Sequence, residues 1–181
     1  MRLFFAVPLP AEAADAVAEA IRPIRGLATG VSWERRNNLH ITLRFLGEVD
    51  PSQVDPIAAA AAPWVRRLPP PPIVIAGGGA FPDATRPRVL WIGVSPVDGL
   101  TPLAQALDRV VAPFGFEPEA RPYTPHLTVG RVRVGRADRV AAELLEIGEL
   151  ARFTPSEVVL YESQQGPEGA RYVARHILPT G

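Results

Sequence analysis

The chain has 181 residues, 47% hydrophobic and 21% charged, with 19 basic and 19 acidic side chains and a formal net charge of zero. That size suits one domain or two tightly joined lobes, and the charge balance excludes a bulk polyanion binder while leaving room for a local basic cleft. There is no cysteine and no lysine, so disulfides, thiol nucleophiles, Cys-ligated metals, Schiff-base chemistry and a Walker-type phosphate loop are all excluded.

The first apolar run, Arg2 to Leu9, is too short to cross a membrane and is broken by Pro8. It reads as a strand rather than a leader, and a cytoplasmic location is expected. Pro10 to Arg25 reads as a helix, with Ala14, Val17, Ala18 and Ile21 at helical spacing. Val31 to Glu34 is a short strand and Asn37-Asn38 a turn. Leu39 to Leu46 is a strand ending at Gly47, and Asp50 to Arg67 a helix with Pro51 in its first turn. Pro69 to Pro72 is a rigid connector between lobes.

The second half repeats this order. Ile73 to Ala76 and Val89 to Val94 read as strands, with Gly77-Gly78-Gly79 between them as a bulge or mobile loop. Asp98 to Phe114 is a helix, Pro118 to Pro125 a loop, His126 to Val132 a strand and Arg136 to Ile147 a helix. Phe153 to Glu162 and Tyr172 to Leu178 are the last two strands. The expected fold is α+β: a single bilobal domain over 1–181, its two pseudo-symmetric lobes lining a central cleft with antiparallel sheets and carrying helices outside.

One pattern occurs twice. His40-Ile41-Thr42-Leu43 and His126-Leu127-Thr128-Val129 both read His-x-Thr-x with apolar residues at x, and they use two of the chain's three histidines. In a strand the side-chain period is two, so each copy puts an imidazole and a hydroxyl on one face and apolar groups on the other. Two histidines beside a cleft suit a reaction that needs a general acid and a general base together. Flanking a phosphorus atom, one activates water and the other protonates the leaving oxygen. The hydroxyls of Thr42 and Thr128 can donate to phosphate oxygens, and an Arg can share the developing charge, so no metal is required.

These residues resemble the two-histidine (2H) phosphoesterase superfamily, and within it the RNA 2′,3′-cyclic phosphodiesterases, also called 2′-5′ RNA ligases. The likeness runs through Arg2–Val7, Trp33, Asn38–Glu48, Pro125–Arg131 and Leu160–Ser163. It implies a bilobal fold and metal-independent, cofactor-free opening of an RNA 2′,3′-cyclic phosphate to a 2′-phosphate. It implies His40 as proton donor and His126 as proton acceptor. Members also join or cleave 2′-5′ linkages. Other phosphodiesterases of the superfamily, acting on cyclic ADP-ribose phosphate or 2′-5′ oligonucleotides, and a non-catalytic RNA-end-binding protein are the alternatives. The expected partner is an RNA or nucleotide with a cyclic phosphate end, with no membrane or metal, bound by a monomer.

Arg131 matches the family's phosphate-contacting Arg, yet strict alternation from His126 turns it to the wrong face unless a bulge at Gly130 re-aims it. Arg44 alternates correctly with His40 and Thr42. Trp33 and Tyr123 are candidates to stack on a base. Phe45 falls on the core side by the same alternation, and His176, outside any motif, reads as structural or surface.

Overall fold

The computed structural model describes residues 1–167 and 169–181. Its elements in chain order are β1 (Arg2–Pro8), α1 (Ala11–Arg25), β2 (Val31–Trp33), β3 (His40–Glu48), α2 (Val54–Arg67), β4 (Ile73–Phe81), β5 (Val89–Ser95), α3 (Thr101–Val111), β6 (His126–Val132), α4 (Asp138–Leu145), β7 (Ala151–Phe153), β8 (Glu157–Gly166) and β9 (Gly169–Pro179). The strands form one antiparallel sheet in the order β7-β4-β5-β6-β3-β1-β8-β9, with β2 paired to β6.

Alternation of apolar side chains decides which face of the sheet meets the helices. Leu3, Phe5 and Val7 of β1, Ile41 and Leu43 of β3, Leu90, Ile92 and Val94 of β5, and Leu127 and Val129 of β6 are all buried. The helices cover them. Helix α1 buries Ala14, Val17, Ile21 and Ile24, one stripe at helical spacing, and packs beside α4 and β7. Helix α2 buries Ile57, Ala58, Ala61 and Val65 and lies against β8 and β9, with α3 beside it. Pro10 and Pro51, which have φ pre-set near helical values, introduce α1 and the turn before α2.

The sheet has two halves. Strands β3, β1, β8 and β9 form one; β6, β5, β4 and β7, with β2, form the other. They are joined through β3 and β6, whose pairing is the bridge Ile41↔Leu127. The helices and the pairing of the motif strands match the α+β, two-lobed expectation. The triple glycine is not a loop. It lies inside β4, where the register breaks between Ile75 and Gly78. Gly77 has φ +63°, and a Cβ on Gly78 would sit 2.6 Å from the Trp91 carbonyl oxygen. A side chain at either position would be strained or would clash.

Candidate active site

Both His-x-Thr-x strands carry the same irregularity at the same place. In β3, Phe5 pairs with Arg44 and Ala6 with Thr42, so Leu43 is passed over. In β6, Leu90 pairs with Gly130 and Trp91 with Thr128, so Val129 is passed over. Each bulge reverses the alternation just after the Thr. The residue five positions after each His therefore returns to the open face, where it is Phe45 in one strand and Arg131 in the other.

This re-aims Arg131 into the cleft, where its charge bears on both imidazoles. It also corrects two expectations. Arg44, placed in the site by strict alternation, is turned to the helical side and is only 6% exposed. There its guanidinium meets Asp108 at 2.9 Å, Glu119, and the Glu117 carbonyl, which tie β3 to α3 and the loop after it. Phe45, assigned to the core, is 42% exposed and lines the cleft with the Arg2 guanidinium 5.1 Å from its ring centre. Gly130 fills the position in β6 that Arg44 fills in β3. A Cβ there would lie 2.9 Å from Val31 and 3.2 Å from the Trp33 ring, so the bare backbone lets β2 pack close.

The bridge Ile41↔Leu127 sets how the two His-Thr pairs face each other. Carried one residue each way in an antiparallel pair, that register places His40 opposite Thr128 and Thr42 opposite His126. The four groups share the open face in a pseudo-two-fold arrangement. The imidazoles are held alike. His40 Nδ1 lies 2.6 Å from the Asn38 carbonyl and His126 Nδ1 lies 2.8 Å from the Thr124 carbonyl, in each case two residues upstream. A carbonyl only accepts, so Nδ1–H donates in both rings and Nε2 is left for chemistry. His40 Nε2 is 3.1 Å from the Thr42 hydroxyl.

Aromatic rings press on both histidines. Phe4 and Tyr172 approach the His40 ring at 4.9 and 5.1 Å, and Phe81 approaches the His126 ring at 5.1 Å. Burial among them pushes His40 down to about 4, assisted by the charges of Arg131 and His126 and opposed by the Asn38 carbonyl. Burial also lowers His126, with Arg131 adding to it and the Thr124 carbonyl opposing.

The surroundings are not symmetric. A cavity of about 550 Å³ opens on the His40 side, walled by Phe4, Phe45 and Tyr172 on one flank and by Trp33, Glu34 and Arg131 on the other. Thr42 and Thr128 lie on it, whereas His126, with Phe81 against its ring and Trp91 beyond Phe81, is not among the residues that wall it. Trp33 is thus where a stacking residue is expected, with Arg25 over its ring at 5.7 Å. Tyr123 is not among the residues that wall the cavity. Its hydroxyl donates to the Thr42 carbonyl at 3.0 Å and its ring packs on the core, so it braces the first motif from outside. His176 pairs with Asp55 at 2.8 Å on the surface, as a non-site histidine would.

Sequence reasoning missed Phe4, Tyr172, Arg2, Glu34 and Arg133. Burial raises the Glu34 carboxyl, with Arg131 and Arg133 opposing. Only Arg133 had a usable signal, since it alternates with Arg131 once the bulge is known. Tyr172 reaches His40 from 132 residues away, and no local pattern could announce it.

Comparison with known proteins places this geometry. The chain is 35% identical over 175 residues to an RNA 2′,3′-cyclic phosphodiesterase of Methanothermobacter thermautotrophicus, covering 95% of each chain. Its fold is similar to that of TT0787 of Thermus thermophilus, with a TM-score of 0.81 at 25% identity, covering 99% of this chain and 97% of that one. It is also similar to E. coli LigT complexed with 3′-AMP, with a TM-score of 0.77 at 26% identity and the same coverage. Residues 10–167 match the family model of the 2′-5′ RNA ligase superfamily, and with both His-x-Thr-x strands on one open face the chain belongs to that family of two-histidine phosphoesterases.

Proposed function

We propose that this protein, with residues 1–181 working as one bilobal domain, opens the 2′,3′-cyclic phosphate at an RNA end to a 2′-phosphate. His126 Nε2 takes a proton from water as the water oxygen bonds to phosphorus. The bond from phosphorus to the 3′-oxygen breaks on the opposite side, and protonated His40 gives that oxygen its proton. Thr42 and Thr128 donate to the non-bridging oxygens and Arg131 balances the charge that builds on them. Water enters at one histidine and leaves its proton there; the ribose hydroxyl departs with the proton of the other. Acid, base and charge neutralisation all come from side chains, so the reaction needs no metal or cofactor. The site is complete within one chain, which suits a monomer, and RNA ends as substrate suit a cytoplasmic location.

The observation that carries this reading is the one-sided cavity. A nucleoside needs room, and the room lies at His40. The leaving ribose oxygen therefore faces His40 and the small nucleophile faces His126. Trp33 and Phe45 offer the ribose and base flat surfaces at the cavity walls. Joining 2′-5′ ends is the same displacement with a ribose hydroxyl in place of water.

The test is hydrolysis of 2′,3′-cyclic CMP in excess EDTA, followed by phosphorus NMR. The 2′-phosphate is expected as the product. A 3′-phosphate product, or activity that disappears with chelation and returns with a divalent ion, would overturn it.

A further inference from the structure

We propose that the groove beside the catalytic cavity carries the RNA strand upstream of the cyclic end, with Arg171 and Arg35 on its phosphodiester backbone. This rests on the function proposed above. A cyclic phosphate occupies both the 2′- and 3′-oxygens of the last ribose, so the rest of the strand leaves only through the 5′-oxygen. The nucleoside sits on the His40 side, and its way out must lie along a wall of that cavity.

One wall opens into a second concavity of about 510 Å³. The two share Arg35, Asn38, Ala170 and Tyr172, so they form one continuous surface. Asn38 fixes the junction. Its carbonyl holds the His40 ring, and its side-chain amide donates to the Ala170 carbonyl at 2.8 Å, clamping the β8–β9 hairpin against the first motif. The groove beyond is lined by Arg35, Arg36 and Arg171, and among the described residues no carboxylate lines it. Arg36 is engaged by Asp15 and the Ala11 carbonyl. Arg171 is exposed at the hairpin. In a chain of zero net charge, a local run of arginines leading out of a phosphate site matches a polyanion that continues from it.

A cyclic mononucleotide fills only the cavity, whereas each added upstream nucleotide brings a phosphodiester into the groove. The experiment compares kcat/KM for 2′,3′-cyclic CMP with that for di- and tetraribonucleotides ending in the same cyclic cytidylate. For the wild type the ratio of oligomer to mononucleotide should exceed one and fall as salt is raised, as a phosphate contact requires. In Arg171→Ala the ratio should drop by roughly threefold to tenfold, the scale of one charge-assisted phosphate contact, chiefly through KM. Arg171→Lys should recover part of it. Arg152→Ala, at the opposite edge of the sheet in β7, should keep the wild-type ratio. A wild-type ratio of one, or an Arg171→Ala ratio equal to that of the wild type, would overturn the inference. A wild type that opens neither substrate would instead overturn the function on which it rests.

Discussion

His40 is neutral in the free protein over most of the working pH range, although its proposed task is to give up a proton. Burial and the Arg131 charge favour the neutral ring, and a bound phosphate anion reverses that balance by pairing with both. The pH dependence should therefore differ between free and bound enzyme. The kcat/KM profile, which reports the free enzyme, should be a bell on the acid side of neutrality, and the kcat profile should lie at higher pH. Coincident profiles would deny that the substrate recharges His40. The same shift bears on stability. The folded-state pKa lies below the unfolded value near 6.5, so the unfolded chain takes up the proton first as pH falls. Stability is then lost between pH 6.5 and 4, by on the order of 3 kcal/mol at the bottom of that window. His40→Ala should weaken this dependence, leaving the part that His126, also lowered by burial, contributes, as denaturant titrations at pH 7 and 4.5 would detect. The roles of the two rings separate by leaving group. His40→Ala and His126→Ala should each cost about 10²–10⁴ in kcat on a cyclic nucleotide. A p-nitrophenyl phosphodiester, whose leaving group needs little protonation, should partly rescue His40→Ala alone. Rescue of His126→Ala instead would exchange the two assignments.

At the scale of the strand, both His-x-Thr-x copies carry a bulge that their residue types do not declare. The apolar x residues, the Thr two places on and the strand itself could all be read from the pattern, because burial on one face imposes a period of two. A bulge is a property of two strands, fixed by which residue of the motif strand finds no partner on its neighbour, and β1 and β5 are invisible from within β3 and β6. That is why simple alternation exchanged Arg44 and Phe45, and why Arg131 needed a break to reach the cleft. The consequence for Arg44 can be measured. Its removal leaves Asp108 beside an empty buried site, which should cost about 3 kcal/mol and lower Tm by roughly 6–12 °C. The kcat of the folded protein should not change, since Arg44 faces α3 and not the cleft. A loss of kcat without a loss of stability would return Arg44 to the active site.

Over the whole molecule, the two-lobed plan, the helical order and the two motif strands were legible, since each rests on periodicity within a short window. The aromatic walls were not, because Phe4 and Tyr172 meet His40 only after the sheet has been assembled across most of the chain. The half-sheets are also unequal in sequence. Apart from β2, the half containing His126 is drawn from one continuous stretch, Ile73 to Phe153, whereas the half containing His40 closes only when β1 pairs with β8, as at Phe5↔Leu160. That pairing has a bearing on synthesis. A nascent chain released as far as Phe153 holds both histidines yet has no partner for the outer edge of β1, whose Phe4 and Phe5 would stay open to wrong pairings. The first strand made must wait for nearly the last. Ribosome-stalled chains that have emerged as far as Phe153 should therefore show protease resistance over 73–153 and markedly less over β1, and cyclic phosphodiesterase activity should appear only once β8 and β9 have left the exit tunnel. Protection of β1 before β8 emerges would show that the sheet can close without its late strands.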